Sequence, residues 1–162
     1  LYVYVGTTGL SGSRYDRKNI VSWGYLQVGI LAQCTVWYYS GTKEIVEFGI
    51  VFNRLYKWGI DPDGEGCTTI NAFDIQNIAT HEAGHTLMLG DIYKSPSSML
   101  TMYGYGSKGE VIKRTLGYET STAPNTYTVE LLHQSSVQQS PANADIYAPP
   151  FSINKGIRVF NI

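Results

Sequence analysis

Thr80-His81-Glu82-Ala83-Gly84-His85 is the segment whose residue types and spacing could do chemistry. Histidines four apart on a helix share a face, so both imidazoles can reach one ion. Neutral imidazole binds zinc at about 2.0–2.1 Å. Glu82 directly follows the first of the pair, where it can take a proton from a zinc-bound water rather than touch the metal. Zinc lowers the pKa of such a water to about 7. Histidines at this spacing also occur on surface helices without a metal. Here two of the chain's three histidines fall in its one strong helical segment, which favours the metal reading. A structural zinc site wants four protein ligands, often thiolates. Neither Cys34 nor Cys67 is close in sequence, so an open, catalytic site is expected.

A third ligand is needed. Asp91 is the leading candidate, because Gly90 lets the chain turn just before it. The plain alternative is a helix-terminal acid, which the helix dipole disfavours. A distant Glu110 or Glu119 could complete the site instead.

The elements that must position these groups follow from patterning. Leu1–Val5, Leu31–Tyr39 and Glu44–Asn53 read as strands; in the last, Val46, Phe48, Ile50 and Phe52 alternate onto one face while Glu44 and Glu47 interrupt. A helix is expected from Ala72, capped by Asn71, to Met88 or Leu89, with Gly90 as its stop. Thr7–Asn19 reads as a loop. Asp61–Gly66 (DPDGEG) is a turn by composition; Asp61, Asp63 and Glu65 could hold calcium there, but the spacing is not that of an EF-hand loop and a solvated turn is favoured. Thr120–Pro150 is rich in Ser, Thr, Pro, Asn and Gln and reads as a linker or loose tail. A helical turn at Val129–His133 and a strand at Gly156–Phe160 are expected within this irregular C-terminal part.

Composition sets the class. At 162 residues the chain is long enough for one domain with its own core. Charged residues make up only 15%, and polarity comes from Ser, Thr, Asn, Gln and 13 tyrosines, a balance that suits a secreted protein. The net charge of −1 comes without a basic stripe, which argues against nucleic acid as a partner. No apolar run is long enough to span a membrane. The opening at Leu1 lacks a signal-peptide pattern, as expected of a processed chain or of a fragment. Cys34 and Cys67 could be two buried thiols or one disulfide, the latter fitting a secreted protein. Oligomeric state has no sequence signal.

The run His81-Glu82-Ala83-Gly84-His85-Thr86-Leu87-Met88-Leu89-Gly90-Asp91 resembles the metzincin zinc motif, H-E-x-x-H-x-x-G-x-x-H, in the form that ends in Asp, as in snapalysin-type members. Leu100-Thr101-Met102-Tyr103-Gly104 resembles the matrixin-like Met-turn that follows it. The stretch Glu44–Asn53 resembles the strand edging the metzincin cleft, and the likeness covers Leu31–Leu116. It implies an α+β metzincin-like catalytic domain, a twisted mixed β-sheet packed on an active-site helix. It implies zinc on His81, His85 and Asp91, Glu82 as general base, and Met102 as a hydrophobic floor. The implied activity is zinc-dependent hydrolysis of protein or peptide substrates paired along Glu44–Asn53; Tyr103 or Tyr105 could help as a donor, but a place in the wall or core is favoured for both. A domain over 1–118 and a loose extension over 119–162 are expected.

Three departures bear on this. Met88 stands at the motif's glycine, so Gly90 is expected to take the turn two residues later. Leu1–Ser22 offers no long N-terminal helix, and Gly117–Tyr127 is a poor former of a closing helix. An inactive metal-binding or partner-binding remnant is therefore the alternative to an enzyme.

Overall fold

The computed structural model describes residues 4–60, 71–94, 98–115, 151–155 and 158–159. Among the described residues it is a mixed α+β arrangement of one small four-stranded mixed sheet, two two-stranded pairs and one α-helix. Strands β1 (Ile20–Gly24), β2 (Ala32–Tyr38) and β3 (Ile45–Asn53) lie beside β7 (Phe151–Lys155) in the order β1-β3-β2-β7.

β2 and β3 form an antiparallel hairpin that sets Cys34 opposite Ile50 and Ala32 opposite Phe52. Strand alternation turns Ala32, Cys34, Val36, Ile50 and Phe52 to one face. With Leu31, Phe73 and Ile78 they make the core, and Phe48 packs against it. The expected alternation of Phe48, Ile50 and Phe52 is thus observed. The opposite face carries Thr35, Trp37, Glu47 and Gly49, and residues 12–17 cross it. Gly49 permits the crossing, since a Cβ there would lie 3.1 Å from the Ser13 Cα. Glu47 is buried and accepts the backbone N–H groups of Asp16 and Arg17. This is how a buried carboxylate is tolerated in a strand.

β3 is not an edge strand. β1 pairs parallel to it over Gly49–Asn53 while β2 pairs along its other side, so over Gly49–Asn53 the backbone expected to pair with a peptide is already occupied. Nothing local in Ile20–Gly24 announces a strand that joins β3 from 25 or more residues away in sequence.

The helix α1 runs Ile75–His85, later and shorter than expected. Two local events set its start. Phe73–Asp74 (β5) is drawn into a parallel bridge with Trp58–Gly59 (β4), and the Phe73 N–H donates to the Lys57 carbonyl. Asn71 has a left-handed φ of 52° and lies outside the helix, so Asp74 is the N-cap, accepting the Asn77 N–H at 2.7 Å. Ile78 enters the core, and the buried residues His81, Glu82, Gly84 and His85 continue that side of the helix.

The chain leaves the helix at Met88, not at Gly90. Met88 has φ 67°, the Leu89 N–H donates to the Gly84 carbonyl and the Met88 N–H to that of His85. This is the Schellman arrangement, with methionine at the position glycine usually fills.

Beyond α1, Ile92 bridges Tyr103 and its N–H donates to the Met102 carbonyl. Tyr105–Gly106 (β6) pairs with Arg158–Val159 (β8). A 3₁₀ turn at Ile112–Arg114 then packs on α1. The strands at 151–155 and 158–159 fall near the expected terminal strand at 156–160. Residues 61–66, Cys67, Glu119, Val129–His133 and the expected boundary at 118 lie outside the described residues, as does Leu1–Val3; Tyr4 and Val5 are not in a strand. No helix among the described residues is long and apolar enough to cross a membrane.

Candidate metal centre

α1 carries His81 and His85 one turn apart, with ring centroids 4.7 Å from each other and planes perpendicular. The Schellman exit at Met88 then swings the chain back so that Asp91 faces both rings. Its Oδ1 lies 3.1 Å from His81 Nε2 and 3.4 Å from His85 Nε2. The three ligand atoms all lie within 4.8 Å of one another, and the group could hold a metal ion.

The far nitrogens of both rings are already used. His81 Nδ1 is 2.8 Å from the Thr101 carbonyl, and His85 Nδ1 is 2.9 Å from the Leu89 carbonyl. A carbonyl only accepts, so each Nδ1 carries the proton. In the neutral rings Nε2 is then a bare lone pair. Two lone pairs and a carboxylate oxygen face one another, which is repulsive unless a cation lies among them or a ring takes up a second proton. His85 Nε2 is buried and makes no hydrogen bond of good geometry.

Charge follows the same logic. Burial works to lower His85, but the neighbouring carboxylates of Asp91 and Glu82 favour its charged form and outweigh it, so its pKa is raised. Burial dominates at His81, whose pKa is lowered despite its contact with Asp91. Burial would raise Asp91, yet the two histidine rings beside it hold its carboxyl far below the usual range. The cluster therefore keeps a carboxylate facing two rings.

Imidazole nitrogen and carboxylate oxygen are donor types that zinc accepts, and the group offers two of the first and one of the second. Donors about 2.1 Å from one tetrahedral ion stand about 3.4 Å apart, and the Asp91 Oδ1 separations match that spacing. The carbonyls on both Nδ1 atoms are the outer partners that metal-bound histidines ordinarily have.

Glu82 is fully buried, near enough to His85 and Cys34 for its charge to act on both. Met102 is buried against α1: a Cβ on Gly84 would meet its Sδ at 2.2 Å.

Glu110 does not join the centre. It pairs with the buried Lys113, accepts from Asn77 at 3.3 Å and receives the Ser107 N–H at 2.9 Å. Of the described residues only His81, His85 and Asp91 form such a group. Tyr103 and Tyr105 meet edge to face, as do Tyr105 and Tyr93, which makes them a packed aromatic set. Cys34 is a buried free thiol on β2 whose pKa is pushed up, by burial first and by Glu82 second.

Some contributors had no sequence signal. The Thr101 and Leu89 carbonyls act through backbone, which residue type does not report. Arg114 clamps Asp74 from 40 positions away, and Asn77 accepts the Lys113 N–H at 2.6 Å. Comparison with known proteins found no matching family model, no matching curated protein and no matching solved structure.

Proposed function

We propose that the chain is a zinc-dependent endopeptidase of metzincin type, acting on extracellular protein or peptide substrates. The observation that carries the reading is three acceptor atoms, on His81, His85 and Asp91, turned toward one another with both Nδ1 positions already bonded. Glu82 supports a hydrolytic role over other uses of a two-histidine, one-carboxylate set, since it adjoins the first ligand on the same buried face.

His81, His85 and Asp91 would hold the ion, with two neutral rings and one carboxylate leaving a net charge of +1 there. The chemistry such an ion supplies when bound is polarisation of a carbonyl and acidification of a water. Glu82 is the base: its carboxylate takes the proton from the attacking water and returns it to the departing amine nitrogen. Burial of Glu82 keeps bulk water from screening that transfer. Met102 supports the ring of ligands without donating to the ion.

The second reading, a metal-holding domain without turnover, draws on β1, which occupies the side of β3 where a peptide was expected. Casein hydrolysis with and without chelator separates the two, together with Glu82→Gln. That change preserves size and removes the base. It should leave zinc content and fold intact while kcat drops by about 10² to 10⁴. Equal hydrolysis by a zinc-loaded Glu82→Gln protein contradicts the mechanism, and a zinc-loaded wild type inactive on casein favours the second reading.

A further inference from the structure

The aim of His81 depends on a carbonyl, and that carbonyl sits in an irregular turn. The bridge between Ile92 and Tyr103 holds the following peptide through the Met102 carbonyl, and two side chains add to the hold on the Thr101–Met102 peptide itself. Met102 is seated against Gly84. Thr101, itself buried, donates its hydroxyl to the Thr115 carbonyl at 3.0 Å.

Thr115 directly follows Arg114, whose guanidinium makes a two-point bond to Asp74: Nε to Oδ1 at 2.9 Å and a terminal nitrogen to Oδ2 at 2.5 Å. Asp74 is the N-cap of α1. Planar two-point pairs of this kind fix orientation as well as distance. The contacts therefore close a ring. It runs from the α1 N-cap through Arg114 to Thr115, across the Thr101 hydroxyl to the Thr101 carbonyl, and back onto α1 at His81 Nδ1 at 2.8 Å.

Resting on the metal reading above, we infer that Thr101 is a positioning residue for His81. Its hydroxyl, anchored through Thr115 and the Arg114–Asp74 clamp, aims its own carbonyl at Nδ1 and so keeps Nε2 bare and directed at the ion. Outer partners of metal-bound histidines fix both tautomer and ring direction, and their loss typically weakens metal binding about 10- to 100-fold. A threonine serving only the packing of the turn would affect folding and leave the ion's surroundings unchanged.

The test uses the full chain and three variants. Thr101→Val removes the hydroxyl at nearly constant volume, Thr101→Ser keeps it, and Arg114→Lys keeps the charge but not the two-point geometry. Zinc affinity is read by competition with a chromophoric chelator, and ligand geometry by the visible spectrum of the cobalt(II) form. Thr101→Val should lose about tenfold or more in zinc affinity with a changed cobalt spectrum, and Thr101→Ser should restore both. Wild-type affinity and spectrum in Thr101→Val, or a loss in Thr101→Ser equal to that in Thr101→Val, overturns the assignment. Should Thr101→Val not fold, Arg114→Lys decides: affinity within about twofold of wild type overturns it, and a larger loss supports it. A folded wild type that takes neither zinc nor cobalt overturns the metal reading, and this inference falls with it.

Discussion

Met88 holds φ 67°, a region where a side chain costs about 1–2 kcal/mol. That side chain also packs against the core, and burying a methionine contributes about 1.5–3 kcal/mol when complete. The two effects oppose each other at one residue. Met88→Gly relieves the strain and loses the packing, whereas Met88→Ala keeps the strain and loses the packing. Denaturant unfolding should therefore rank the glycine variant above the alanine variant by about 1 kcal/mol, the reverse of their helix propensities. An alanine variant at least as stable as the glycine variant would mean that the chain does not turn at Met88. The turn was misplaced from sequence for a physical reason. Glycine signals a left-handed residue because it lacks a Cβ, and Gly90 carried that signal. A methionine kept in this conformation by its packing has no such mark. The His81–Glu82–His85 face was legible because four-residue spacing is local, and Asp91 because it follows closely behind the helix.

At the scale of the element, α1 is shaped at one end by a clamp and in its last turn by a close approach. Gly84 lies where Met102 presses on the helix, and an added Cβ would stand 2.2 Å from its sulfur. Alanine is the better helix former by about 1 kcal/mol, but the methionine would have to move. Gly84→Ala should destabilise the protein by about 1–3 kcal/mol in denaturant unfolding. A stabilised Gly84→Ala protein would contradict the seating of Met102. The helix start shows where periodicity stops being informative. Ala72 and Phe73 suit a helix by composition, yet Phe73–Asp74 is bridged to Trp58–Gly59, a pairing that no window around residue 72 reports. β3 was legible through its alternation, but its neighbours were not, because strand order depends on contacts remote in sequence.

Across the whole molecule, the α+β class was readable from strands followed by one strong helix. The buried polar sets that tie each of them to segments remote in sequence were not. Glu47 under residues 16–17 and the Asn77–Glu110–Lys113 group link segments about 30 positions apart, and each member alone reads as a surface residue. Cys34 lies in the apolar core, in the same cluster as Ile50 of β3 and Ile78 of α1. In the folded protein it should resist alkylation, being buried with a raised pKa, and it should become modified in guanidinium. Peptide mapping of the alkylated site checks this. A Cys34 that stays unmodified after complete unfolding without reductant would instead mean a disulfide.

The central claim is that this fold brings His81, His85 and Asp91 together around one ion. The most direct measurement is metal content by elemental analysis, on folded protein dialysed with zinc and then freed of excess. About one zinc per chain is expected in wild type and essentially none in folded His81→Ala or His85→Ala protein. A folded wild type without zinc, or a histidine variant that keeps the full complement, would contradict it.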